Sequence, residues 1–420
     1  MVFGEWCWAV APLMAAAIVG PAYGQSQPVA DPTKTANQPA GPPQDQPPSA
    51  APSAFTYTIT YDLDLLHNLT GGRSQGPGHA DLLKASAGYD GNLQGHDGLT
   101  GIVSLEHTFG STFTADRVGG FQAVTAAEAQ PTATRLYEAW LQQDFLGGAA
   151  GLKAGLIDLN TTFDVQETAA LFLNAVDGTG AELADTGPNG PSIYPATSLA
   201  VNGFWRPDEN STLQLGVFDA TAGDPRHRGA FVAVKLDGAL VIAQAERRFG
   251  DAARIEAGAW AYSNRFPALD QFRPDGAPRE IRGDTGLYGL VEGRLMARGD
   301  QGGGLSGWLR AGLANGDINP VRDYLGTGLV LSGTFPGRDK DEAGLGVNSS
   351  GFGRGAEVAA LAQGRVSHGR ETVLEATYRY ALKDWLSLQP DLEYVARPYG
   401  DPRTPNALVA ALRLALTWSK

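Results

Sequence analysis

Cysteine is nearly absent from this sequence: Cys7 is the one thiol in 420 residues. A disulfide framework within the chain, a cysteine-ligated zinc and a thiol nucleophile are all excluded once the first residues are removed. Charge is also sparse, with Asp, Glu, Lys and Arg together at 18% against a usual ~25%. Beyond the first twenty-odd residues no continuous apolar run reaches spanning length, which excludes a helical membrane protein. Base is short relative to acid, 32 Lys+Arg against 45 Asp+Glu, and the net charge of -13 repels phosphate backbones. Nucleic acid is therefore not expected as a partner. Glycine is plentiful, 55 residues in 420 or about 13% against a usual ~7%, which disfavours an ordinary helical enzyme.

Trp6 to Val19 form an apolar segment, and Ala22-Tyr23-Gly24 puts small residues just ahead of a cut at Gln25. Residues 1–24 read as a secretory signal peptide, although Met1 to Glu5 contains no Lys or Arg. Cleavage removes Cys7, leaving neither a thiol nor a lipoprotein anchor. Residues 25–54 are rich in Pro, Ala, Gln and Ser with almost no large apolar group, so they are expected to form a disordered spacer. The folded body is expected over residues 55–420.

From Phe55 onward the chain is written in segments of about ten residues with period-two alternation, separated by Gly, Asp, Asn and Pro clusters. Tyr57, Ile59, Tyr61, Leu63 and Leu65 share one strand face, and Thr58, Thr60, Asp62 and Asp64 share the other. In Arg135 to Phe145, the parity of Tyr137, Leu141 and Phe145 opposes Glu138, Trp140, Gln142 and Asp144. Later segments repeat the pattern, as in Leu305, Leu309 and Leu313 against Ser306, Trp308 and Arg310. A tilted strand of ~9–11 residues crosses the hydrocarbon layer, and closure leaves no unpaired backbone in lipid. The pattern predicts an all-β, transmembrane antiparallel barrel with apolar residues outward and polar residues toward a water-filled lumen. A soluble propeller or sandwich is the alternative with similar strands.

About seventeen segments fit, starting near 56, 82, 100, 135, 152, 198, 212, 229, 239, 254, 285, 304, 324, 342, 372, 386 and 408. Bacterial single-chain barrels have even strand numbers, so sixteen are expected and one segment is surplus. Counting connections forward makes 146–151 a short turn and 160–197 a long loop. Counting backward makes 396–407, 348–371 and 263–284 external and 382–385 periplasmic. The two counts conflict around residues 207–253.

Particular residues then add to the pattern. Tyr89-Asp90-Gly91-Asn92-Leu93, Arg135-Leu136-Tyr137-Glu138-Ala139-Trp140, Leu171-Phe172-Leu173-Asn174 and Tyr194-Pro195 come in order. Gly216-Val217-Phe218-Asp219, Leu386 through Tyr394, and Asn406-Ala407-Leu408-Val409 continue the series. This ordered series resembles the OprB-type carbohydrate-selective porins of Gram-negative outer membranes. The resemblance implies a sixteen-stranded porin of the outer membrane that passes mono- or oligosaccharides by passive diffusion, contacts outer-membrane lipid and is able to form homotrimers. It also implies an eyelet of charged and aromatic lumen residues. Two features depart from it: Gly155-Leu156 stands where many relatives have Gly-Arg, and the chain ends Trp418-Ser419-Lys420 rather than on the aromatic.

Inward parity nominates Glu106, Glu138, Arg310, Glu375 and Arg379 as charged lumen residues that could bind hydroxyls. The plainer reading of each is a solvated wall residue. His107 falls on the lipid parity. Trp140 and Trp308 lie on polar parities, where an indole could stack on the apolar face of a sugar or pack against an inward-folded loop. Trp205, Trp260, Trp385 and Trp418 read as interfacial girdle residues. Phe163 to Tyr194 is the longest loop after the spacer, with a helix-like stretch from Val165 to Val176. Asp164, Glu167, Asp177, Glu182 and Asp185 make it an acidic constriction loop, unless it forms an external cap or a trimer contact.

The search for chemistry is negative. The six histidines show no metal-ligand spacing, and no nucleophile elbow or nucleotide loop is present. No catalytic residue, cofactor or metal is therefore expected. The alternative to the sugar channel is a general or cation-biased porin of the same fold, favoured by the acidic net charge. A secreted carbohydrate-binding β protein or glycosidase is the third reading.

Overall fold

A strand with one apolar and one polar row must place the first against hydrocarbon and the second against water or other protein. The computed structural model, which describes residues 53–224, 227, 229–250, 252–298 and 303–420, meets this demand with a single closed sheet. The expected signal peptide and nearly all of the expected spacer lie outside these residues.

The strands follow in order as β1 (Phe55–Thr70), β2 (Gly76–Asp90), β3 (Leu99–Gly110), β4 (Ala133–Phe145), β5 (Ala150–Ile157) and β6 (Ser198–Asp208). They continue as β7 (Ser211–Asp219), β8 (Ala239–Phe249), β9 (Ala253–Phe272), β10 (Pro278–Arg298) and β11 (Gly303–Ala314). The last five are β12 (Val321–Ser332), β13 (Glu342–Phe352), β14 (Arg370–Lys383), β15 (Leu386–Ala396) and β16 (Ala407–Ser419). Each pairs antiparallel with its sequence neighbours, and β1 closes on β16 with Leu63 opposite Leu414 and Leu65 opposite Leu412. Closure removes the sheet edges that lipid could not satisfy.

The outward row is apolar: Leu65, Val103, Leu141, Leu215, Leu309, Leu345 and Leu412 are all exposed. His107 lies on this row, opposite Leu83, with its ring against Phe109 and Nδ1 at 2.8 Å from the Thr134 hydroxyl. Phe55, Phe145, Trp205, Phe249, Trp385 and Trp418 are exposed near the rim that carries both ends of the barrel, as an aromatic girdle. Trp260 is not part of that girdle. Because β9 runs for 20 residues, Trp260 falls mid-strand on the inner row, 3% exposed and edge-on to Tyr262 at 5.9 Å.

The sixteen-strand expectation holds among the described residues, and the surplus segment is the one near 229. Residues 220–238 connect β7 to β8. Phe231, Val232 and Val234 imitate a strand, yet the Asp219 carboxylate collects the backbone N–H groups of Lys235, Leu236 and Asp237 at 3.1, 2.5 and 3.3 Å. Removing this segment reconciles the two counts of connections.

Candidate functional site

Among the described residues, two connections enter the barrel. Residues 111–132, between β3 and β4, bury Val118, Val124, Ala126, Ala127 and Ala129, and residues 158–197, between β5 and β6, bury Leu171, Phe172, Leu173, Val176 and Leu183. They join inside, where Ala126 N–H donates to the Leu173 carbonyl at 2.8 Å and Ala175 N–H to the Ala123 carbonyl at 3.0 Å. An external cap would leave such apolar side chains wet. Here they face the wall and narrow the lumen.

The helix expected over Val165–Val176 is replaced by two 3-10 turns, Ala169–Leu171 and Ala175–Asp177, followed by a single helical turn at Ala181–Ala184. The cause is competition for backbone donors. The N–H groups of Glu167 and Thr168 donate to Glu292 of β10 at 3.1 and 2.7 Å, and those of Leu173 and Asn174 donate to Glu375 of β14 at 2.6 and 3.2 Å. Wall carboxylates thus take bonds that a helix would have used internally, and charge-assisted bonds of this kind are the stronger ones.

Arg310 is the central anchor. It reaches from β11 to Asp164 at 3.0 and 2.8 Å and to Glu182 at 2.5 Å, with all three side chains fully buried. The rings of Tyr288 and Tyr324 flank its guanidinium at 5.4 and 5.1 Å. Two glycines make room for the cluster: a Cβ on Gly180 would stand 1.9 Å from Arg310 Nη1, and one on Gly312 would stand 1.9 Å from Glu182 Oε1. Asn348 donates to Asp177 at 2.7 Å, and burial still pushes the Asp177 carboxyl up to about 8. In the shorter segment, Glu128 accepts from Thr114 N–H at 2.8 Å and from its hydroxyl. Burial nonetheless pushes Glu128 up to about 7 against those bonds.

A wetter charged edge borders this packed region. Glu167, at the near end of the long segment, is 42% exposed and pairs with Arg248 of β8, 37% exposed, at 2.7 Å. Arg248 also holds Glu246 at 2.8 Å, and Glu246 holds Arg254 of β9 at 3.0 Å. Arg254 continues inward to Glu292 and to the Val165 carbonyl. The result is an alternating row of acids and bases that starts in water and ends in the packed interior.

The structure distributes the residues singled out from sequence among three environments. Arg310, Glu375, Asp164 and Asp177 are buried where the long segment meets the wall. Trp308 is 3% exposed, with Phe172 of that segment on its ring at 4.8 Å. Glu106 and Glu138 flank Lys84 of β2 at 3.4 and 3.9 Å and are likewise buried. Trp140 is half-buried, donating to Glu138 at 3.1 Å with Lys153 Nζ 4.3 Å from its ring centroid. Arg379 pairs with Glu342 of β13 and is 32% exposed, and Glu167 lies on the wet edge.

Tyr137 departs from its expected outward parity. The register of β3 and β4 shifts between Ser104 and Leu105, and this bulge turns Tyr137 inward beside Glu138, where it meets Tyr194 and donates to Asp158 at 2.6 Å. Leu156 pairs with Ala139 and Leu199 on the outward row, so its departure from Gly-Arg does not alter the lumen row of β5. Sequence reading passed over Lys84, Arg248, Arg254, Glu292 and Arg413, the last of which pairs with the inward Asp64 at 2.7 Å. Their inward parity was the available signal.

A closed sixteen-stranded barrel, apolar outside and narrowed inside by two segments of its own chain, is a transmembrane channel of the porin class. The family model described as carbohydrate-selective porin, OprB family, matches residues 79–418, and the chain belongs to that family. It is an outer-membrane β-barrel. Porin B of Pseudomonas aeruginosa is 27% identical over 162 residues, a stretch covering 33% of this chain and 36% of that relative. The chain thus matches about a third of the length of Porin B. The high-pH structure of Pseudomonas putida OprB has a TM-score of 0.78 at 19% identity, covering 87% of this chain and 94% of that one. Its low-pH structure gives 0.54 at 16% identity, covering 87% and 93%. These likenesses are of fold.

Proposed function

We propose that the barrel passes mono- and oligosaccharides by passive diffusion, with no chemical step, along the wet charged edge formed by Glu167, Arg248 and Glu246. The observation that carries this reading is the alternation of acid and base at that edge. Sugars offer many hydroxyls and no charge, so a row presenting both donors and acceptors suits them better than a row of one sign. Trp140 and Arg379 extend the path in this reading, with the indole supplying an apolar plate. Membership of the carbohydrate-selective porin family supports it. Assembly into homotrimers belongs to the same reading, and mass photometry of the detergent-solubilised protein measures it.

Swelling of liposomes containing the purified protein tests the proposal. Neutral sugars should enter faster than zwitterionic or charged solutes of equal size. Equal rates would favour a general porin, and faster entry of cations would favour the cation-biased alternative that the acidic composition suggests.

A further inference from the structure

Three carboxylates from two strands converge on the inner wall. Glu375 of β14 pairs directly with Glu393 of β15, and Asp391 lies two residues earlier on the same face as Glu393. Among the described residues these three offer oxygens all within 4.8 Å of one another. Glu375, Asp391 and Glu393 are 0, 6 and 0% exposed.

The local cation is already committed. Arg413 of β16 gives Nε and Nη2 to Asp64 of β1 at 2.7 Å each, and Glu128 of the shorter segment adds another acid nearby. Glu375 accepts two backbone N–H groups, and Glu393 accepts the Asn174 amide at 3.2 Å. Three oxygens are left over: Asp391 lies beside Glu375 and Thr377, yet neither of its oxygens, nor the second oxygen of Glu393, accepts a hydrogen bond of good geometry. Uncompensated carboxylates at such burial are costly and call for a counter-charge.

We infer that Glu375, Asp391 and Glu393 form a calcium site on the barrel wall, at the place where Glu375 and Glu393 also hold Leu173 and Asn174 of the long inward segment. The donors are all oxygen, which selects a hard cation. Oxygens on opposite sides of Ca²⁺ stand about 4.6–5.2 Å apart, twice the ~2.3–2.6 Å bond, and the observed spread fits that span. Carboxylates drawn irregularly from two strands suit calcium better than magnesium, which demands near-octahedral geometry. The site does not depend on which solute the channel passes.

The test uses the full chain in detergent, stripped with EDTA and titrated with CaCl₂ by calorimetry, alongside thermal unfolding. The wild type should bind one Ca²⁺ per chain and unfold at a higher temperature with it. Asp391→Asn, which keeps the volume and removes a like charge, should weaken binding about tenfold or more and abolish the thermal response, while matching or exceeding the wild type in EDTA. Glu393→Gln provides a second variant, and heat-modifiable migration on gels verifies folding of each. Absence of saturable calcium binding by the wild type, or binding left intact in both variants, would overturn the assignment.

Discussion

Arg310 of the barrel wall and Asp164 of the long inward segment, 146 positions apart in the chain, meet through two hydrogen bonds of 3.0 and 2.8 Å with neither side chain exposed. Breaking one partner of such a pair leaves buried charge behind, at a cost of about 3–5 kcal/mol. Arg310→Met should release the segment from its seat while the strand ladder stays paired. Single-channel conductance is expected to rise, and the segment should become sensitive to protease. Wild-type conductance and protease resistance in this variant would contradict the anchoring role.

The wet edge behaves differently, because Arg248 and Glu167 are each more than a third exposed. Exposed pairs are worth at most about 1 kcal/mol, so Arg248→Ser should leave the unfolding temperature nearly unchanged. Its effect belongs to transport. Reversal potentials in a salt gradient should move toward cation preference for Arg248→Ser and toward anion preference for Glu167→Gln, and sugar block should weaken in both.

The two lumen tryptophans should separate. Trp308 supports Phe172, so Trp308→Ala removes packing worth about 3–5 kcal/mol and should raise conductance as the segment loosens. Trp140 is half-buried beside Glu138, and Trp140→Ala should weaken sugar block more than it changes conductance. Titration of the open-channel current with maltose distinguishes the two effects.

The pH dependence of the shorter segment follows from Glu128, whose ordinary value of 4.5 is raised to about 7 by burial. Between those values the folded state keeps a proton that the unfolded chain releases. The stabilising contribution is therefore fully present below 4.5 and is lost as pH rises through 7. Unfolding temperatures measured across this range should fall with rising pH in the wild type, and Glu128→Gln should flatten the slope.

Much of the architecture was legible because a barrel writes its inner and outer rows into alternating residues. Strands such as β11, with Leu309 outward and Arg310 inward, needed no tertiary information. Two kinds of event broke the code. Tyr137 was misplaced because a one-residue bulge reverses parity without leaving a composition signal, and 229–238 imitated a strand because its backbone donors turn to the Asp219 carboxylate. The site was legible as a set of inward charges, but its pairings were not. Which acid meets Arg310, and whether Trp308 faces water or Phe172, depends on the path of the inward segment. Long-range contacts decide that path: Glu292 and Glu375 capture its N–H groups from strands more than a hundred residues away.

Single-channel recording from purified protein in a planar bilayer, with glucose and maltose-series sugars added in steps, tests the central claim most directly. The account predicts stable conductance that sugars block in proportion to their concentration, with the block reduced in Arg248→Ser. Stable conductance that no sugar blocks at any concentration would contradict a sugar path along the Glu167–Arg248 edge.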